Sequence, residues 1–236
     1  MKKILILVLS ADVAPYDKMI TTSMNTWDSI DCEGTESIYY CGESNKANTD
    51  KIIYLPVNES LHTMGKKLLL AFEWALKNKE FDYVARVHSS TYVNKKELFN
   101  YVQNLPTENI FAGAEATSQN GFQYLWGGGH YVISKDVVKK IVDNKDKWNH
   151  LWMEDESMSV LVSSLGIPFT AGKSGSIDKL ENGWHCISYG GGESISFYHF
   201  SDLQRLKHHF YRVKHDKDRS VDEYVMNELF KALNTK

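Results

Sequence analysis

The sequence predicts an α/β fold, a mainly parallel central sheet flanked by helices, and three observations carry that prediction. Ile4–Leu9 is an uninterrupted aliphatic run, the pattern of a parallel strand covered on both faces. Residues 62–79, HTMGKKLLLAFEWALKNK, place Met64, Leu68, Phe72, Ala75 and Leu76 at three- and four-residue spacing, while Lys66, Lys67, Glu73 and Lys77 take other faces. This amphipathic helix feeds Tyr83-Val84-Ala85-Arg86-Val87, a short β-branched and aromatic strand that stops abruptly at His88-Ser89-Ser90. In open α/β sheets ligands sit beyond the carboxyl ends of strands, so the segment 81–94 is where a site is expected.

The other elements follow in chain order. A helix is expected over 17–27, strands over 37–40 and 52–55, then a helix over 95–105 and a strand over 110–114. Gly127-Gly128-Gly129 runs through His130 into a strand over 131–134, which marks a backbone that something approaches closely or a strained turn. A helix over 135–143 comes next. Met153-Glu154-Asp155-Glu156 then opens a short helix carrying Met158, Val160, Leu161 and Leu165. Acidic residues favour helix N-termini, so capping explains that cluster; two or three carboxylates together are equally a general base or a metal site. Ser220-x-x-Glu223 is a capping box opening a last helix, 220–235, that packs Val221, Val225, Leu229 and Leu233 on the domain.

Several function classes are excluded. No break in composition divides residues 1–236, so one domain is expected. Net charge is −3 with both signs interspersed, which leaves no footprint for nucleic acid. Cys32, Cys41 and Cys186 include no CxxC pair, arguing against a disulfide scaffold or structural zinc. The apolar run at the start is shorter than the ~7 residues of a secretory core, and nothing approaches the ~20 apolar residues of a membrane span, so a cytoplasmic protein is expected. The loop Ser10-Ala11-Asp12-Val13-Ala14-Pro15 has no glycine, against a dehydrogenase-type dinucleotide site and against a nucleotidyltransferase triphosphate loop. Residues 166–174 resemble a P-loop only loosely, with the wrong glycine spacing and an internal proline.

Taken in order, the motifs resemble the β-1,3-galactosyltransferase and Fringe-like glycosyltransferases, which have the GT-A (nucleotide-diphospho-sugar transferase) fold. The resemblance runs over most of residues 3–200. Met24-Asn25-Thr26-Trp27 looks like the end of the family's first helix, though the arginines before Thr-Trp are absent. The helix around Lys66 looks like the one whose lysine lies near the donor, 83–94 like the strand and turn of the acidic metal motif, 126–134 like the glycine segment, and Glu154-Asp155 like the pair holding the catalytic base.

The resemblance implies an inverting glycosyltransferase that moves a sugar from a nucleotide-sugar, a UDP-sugar above others, to a glycan hydroxyl. Asp155 is then the base, with Glu154 orienting it or the acceptor. Lys66, Arg86, His88, Ser89, Ser90, Gly127, Gly128 and Gly129 surround donor and acceptor. Where the family has three acidic residues that bind manganese or magnesium, this chain has His88-Ser89-Ser90. Three outcomes follow: cationic side chains replace the metal, His88 and His199 hold it, or catalysis is lost. The last leaves a catalytically inactive nucleotide- or carbohydrate-binding protein on the same fold. A bacterial or viral enzyme is expected rather than a Golgi-resident one.

Overall fold

The computed structural model describes residues 1–118, 120–126, 130–174, 178–179, 184–190, 209–215, 219 and 221–234. The first half contains β1 (Ile4–Leu9), α1 (Tyr16–Asn25), β2 (Thr35–Cys41), β3 (Ile52–Tyr54), α2 (Met64–Asn78), β4 (Tyr83–His88), β5 (Thr91–Val93) and α3 (Lys95–Gln103). It continues with β6 (Phe111–Thr117), β7 (Gln123–Leu125), β8 (Tyr131–Ser134), α4 (Lys135–Asp143), α5 (Glu154–Ser164) and β9 (Phe169–Ser174). The last elements are β10 (Asp178–Lys179), β11 (Trp184–Gly190), β12 (Phe210–His215) and α6 (Val221–Asn234).

The strands order as β3-β2-β1-β4-β8-β6-β9-β11-β12-β5, with β7 beside β6 and β10 beside β11. In the central part, β3, β2, β1, β4, β6 and β9 run one way, and β8 alone runs against them, between β4 and β6. Beyond β9 the pairing turns antiparallel through β11, β12 and β5. The central sheet is mostly parallel and flanked by helices, as the sequence predicts.

Alternation along each strand divides the core. Ile4, Ile6 and Val8 of β1 face one apolar cluster with Trp27, Leu98 and Val102, whereas Leu5, Leu7 and Leu9 face another with Leu68, Phe72, Val138 and Leu161. The helices α1, α3 and α6 therefore cover one face, and α2, α4 and α5 the other. The end of the chain is tied in by Val225, Met226 and Leu229, buried in the first cluster, and by Thr22 Oγ1 donating to Glu223 Oε2 at 3.3 Å. Ser220, the N-cap residue expected for α6, lies outside the described residues. The segment loosely similar to a P-loop contains strand β9.

One contact fixes α2 against the chain leading into α5. A Cβ on Gly65 would sit 2.7 Å from Trp148 Nε1 and 3.2 Å from two further atoms of the indole. Trp148 is buried and its ring cannot fold aside. Gly65→Ala is therefore expected to lower stability by about 1–3 kcal/mol, although alanine alone in a helix would favour it by about 1 kcal/mol. Denaturant unfolding checks the sign, and a stabilised variant would mean that Trp148 yields.

Candidate active site

The C-terminal ends of β1 and β4 open into a cavity of about 550 Å³. Strand β4 ends there because Ser89 N makes its last rung to Leu9 O at 2.9 Å, after which the chain turns at Ser89-Ser90 and re-enters the sheet as β5. Val213 N donates to Ser90 O at 2.9 Å, and Thr91 lies opposite Arg212 in register. The turn is thus clamped between the sheet's parallel and antiparallel parts. This pairing carries Arg212 to the cavity wall.

Arg86 and His88 are two residues apart in β4 and so share a face, the one that α5 covers. Arg86 is fully buried, its guanidinium carbon 5.6 Å from the centre of the Tyr131 ring. It pairs through Nη2 with Glu154 Oε2, and its Nη1 lies 2.8 Å from His88 Nε2. A guanidinium can only donate, so His88 accepts through Nε2 and carries its ring proton on Nδ1. Burial pushes the Glu154 carboxyl up to about 7, against the opposing pull of Arg86 and with Asp155 adding to the rise. Burial works against the charge on Arg86, but the Glu154 carboxylate together with the Tyr40 and Tyr131 hydroxyls outweighs it and holds the guanidinium protonated.

The acidic first turn of α5 does not serve as a cap. Its N-cap is Met153, which makes no side-chain capping bond, and the carboxylates divide their work. Glu154, on the same helical face as buried Ser157, Met158 and Leu161, reaches inward to Arg86. Its Oε1 is buried and has no hydrogen-bond partner among the described residues. Asp155 is partly exposed, lines the cavity, and accepts from Glu156 N through Oδ1 at 3.0 Å.

Three cations line the same cavity. Lys67 is buried and donates to Ser10 O at 2.8 Å and to Glu59 Oε2 at 2.6 Å. Arg219, just ahead of α6, donates through Nε to buried Asp222 at 2.6 Å and sits over the Tyr16 ring at 5.7 Å. Arg212 is the third.

Of the residues singled out in the sequence, His88, Ser89, Ser90, Glu154 and Asp155 come together on this cavity, and Arg86 lies directly behind Glu154 and His88. Lys66 does not join them: it is exposed on α2, and Lys67 takes the place expected of it. The reason is helical phase, since Lys67 follows Met64 by three positions and shares its cavity-facing side, while Lys66 is turned about 100° away. Gly127, Gly128, Gly129 and His199 lie outside the described residues.

The residues described here fit a divalent cation poorly. His88 Nε2 is taken by Arg86, the Ser89 and Ser90 hydroxyls are weak ligands, and Glu154 and Glu59 are each paired with a cation. Among the described residues no group of three or more His, Cys, Asp or Glu side chains is arranged to hold a metal ion. No helix among them is long and apolar enough to cross a membrane.

No family model matches the chain. Over 135 residues, 50% of the chain, it is 24% identical to UDP-GalNAc:beta-1,3-N-acetylgalactosaminyltransferase 2 of Homo sapiens, and the same holds for the Mus musculus protein. The match spans 27% of the length of each relative. Among solved structures, a cytidylyltransferase from Leptospira borgpetersenii superposes with a TM-score of 0.47 at 12% identity, over 72% of this chain and 75% of that one. The glycosyltransferase GlyE of Streptococcus pneumoniae TIGR4 gives 0.44 at 14% identity, over 72% of this chain and 45% of that one. Both scores are too low to bear on function. The chain is similar, over half its length, to a glycosyltransferase.

Proposed function

We propose that this protein is a glycosyltransferase that transfers a sugar, with inversion, from a UDP-sugar to a glycan hydroxyl. The observation that carries the reading is the meeting of a cavity-lining carboxylate, Asp155, with Lys67, Arg212 and Arg219 at the carboxyl ends of β1 and β4. Inverting transfer needs both. Asp155 takes the proton from the acceptor hydroxyl as its oxygen attacks the anomeric carbon, and the bond from that carbon to the nucleoside diphosphate breaks on the opposite side. The cations meet the charge that develops on the departing diphosphate. The similarity to a UDP-GalNAc transferase supports a UDP-sugar as donor.

Arg86 and Glu154 act one layer back. Their ion pair anchors the first turn of α5 to β4, which fixes where Asp155 stands relative to His88 and the turn. No step is assigned to a metal ion, because the donor set at His88-Ser89-Ser90 does not suit one. Calorimetry of manganese into the apo protein is expected to reveal no tight site, and only a modest gain in donor affinity when manganese is added. A micromolar site in the apo protein would overturn this and point to ligands among Glu154, Asp155 and Glu156.

The loss of carboxylates at that turn also favours a second reading, a catalytically inactive nucleotide- or carbohydrate-binding protein. A thermal-shift screen of UDP-, GDP- and dTDP-sugars, followed by donor hydrolysis and transfer assays with and without manganese, separates the two. A donor at about 100 to 1,000 times its Kd stabilises by about 3–4 kcal/mol. Stabilisation without turnover would favour the inactive protein, and neither would sink both readings.

A further inference from the structure

Most of the exposed large hydrophobic side chains among the described residues lie on one cavity or beside it in the chain. Among the described residues the large hydrophobic side chains standing exposed are Val13 at 53%, Leu61 at 59%, Leu151 at 94%, Trp152 at 51% and Met153 at 44%, besides Met1 and Tyr224. Val13, Leu61 and Met153 line the cavity itself, and Leu151 and Trp152 adjoin Met153 in the chain. Single exposed hydrophobic residues are ordinary, but three on the lining of one cavity, with two more beside the third in the chain, mark an interaction site.

This exposure is held in place. Asn149 Oδ1 accepts from Leu151 N at 3.0 Å, and Asn149 O accepts from Ser157 Oγ of α5 at 2.6 Å. Trp148, at the start of the segment, is buried against Gly65 of α2. The segment is pinned at both ends with its apolar side chains turned out.

We propose that this rim binds the alkyl chain of a glycolipid acceptor whose sugar enters the cavity beside Asp155. The proposal rests on the glycosyltransferase reading, and two features select this occupant. The rim is continuous with the cavity, so a molecule on it must have a polar end that fits among Ser, His and charged side chains and an apolar end that does not. Two partly exposed acidic residues, Asp155 and Glu156, follow the rim closely, and the chain's net charge is −3, both unfavourable to the anionic surface of a bilayer. A single amphiphile meets both ends of the site. A membrane surface meets only one.

The test uses methyl, butyl and octyl β-galactosides and β-glucosides below their micelle-forming concentrations, titrated calorimetrically into the whole protein. Each methylene lying half-covered on an open rim tightens binding about twofold, so octyl over methyl glycoside is expected to gain on the order of 100-fold. Leu151→Ser with Trp152→Ser flattens that dependence, while Trp152→Leu, which keeps apolar surface, retains it. Equal affinity for methyl and octyl glycosides, a slope that survives the double substitution, or its loss in Trp152→Leu overturns the proposal. So does binding to lipid vesicles that carry no sugar headgroup. Donor hydrolysis measured on the same protein separates the two claims: turnover without chain-length dependence removes the rim alone. Chain-length dependence without turnover leaves the rim standing as an amphiphile site and removes the transferase.

Discussion

Asp155→Asn is expected to lower turnover about 100-fold or more while leaving donor affinity nearly unchanged. The substitution keeps shape and removes basicity. Asp155 accepts from Glu156 N through one oxygen, and the asparagine carbonyl can accept the same bond, so the first turn of α5 stays as it is. The substitution also takes one negative charge from a helix N-terminus, about 0.3–1 kcal/mol. If Asp155 served only the helix, that small loss of stability would be the whole effect and turnover would be wild-type.

The pH dependence distinguishes Asp155 from its neighbour. A general base works deprotonated, so the rate rises with pH through the pKa of the group responsible. An acid limb centred near 7 would implicate Glu154, whose carboxyl burial pushes up to about 7. Glu154 is the poorer base by geometry, because one of its oxygens is committed to Arg86 and the residue is 95% buried, the complement of its 5% exposure.

How much of this was legible in the sequence depended on whether periodicity alone fixes an element. Ile4–Leu9, residues 131–134 and residues 135–143 were readable to the residue, because a buried strand is all apolar and α4 buries a clean stripe of Val137, Val138 and Ile141. Strand β12 was not. Phe210, Tyr211 and Val213 are buried but Arg212 stands among them, which breaks the apolar pattern of a buried strand. Its identity comes from pairing with β5, more than a hundred residues earlier, which no local window contains. Strand β7 escaped for a similar reason, being three residues long and defined by pairing with β6.

The site was legible in its acids and turn, and not in its cations. His88-Ser89-Ser90 follows a strand and Glu154-Asp155 opens a helix, so local chemistry places both. Arg86 is a candidate only through the resemblance, and it takes the fold to bury it behind the cavity. Lys67 could have been chosen over Lys66 from its three-residue spacing to Met64, a helical-phase argument available without coordinates. Arg212 and Arg219 depended on long-range pairing and on the docking of α6.

Arg86→Met is expected to destabilise the protein by about 3–5 kcal/mol, the cost of leaving one member of a buried ion pair without its partner. Glu154 then keeps a buried carboxyl without its ion-pair partner, with only Lys67 and Arg212 still acting on it, and its cheapest response is to take up a proton. The sign follows from linkage. A carboxyl whose folded-state pKa is raised contributes stability below the unfolded value of about 4.5 and loses it as pH rises through the folded pKa. In the wild type that loss begins near 4.5 and is complete just above 7, where Glu154 titrates. Without Arg86 the folded pKa moves higher still, so the gap between variant and wild type should stay level below about 7 and widen as pH rises above it. Chemical unfolding at several pH values measures it. The double variant, Arg86→Met with Glu154→Leu, is expected to recover most of the stability, since replacing both members of a buried pair by apolar groups is often neutral. Recovery with lost turnover would mean that the pair positions Asp155. A double variant as unstable as the single one would mean that Arg86 holds the fold through the Tyr131 face and His88 instead.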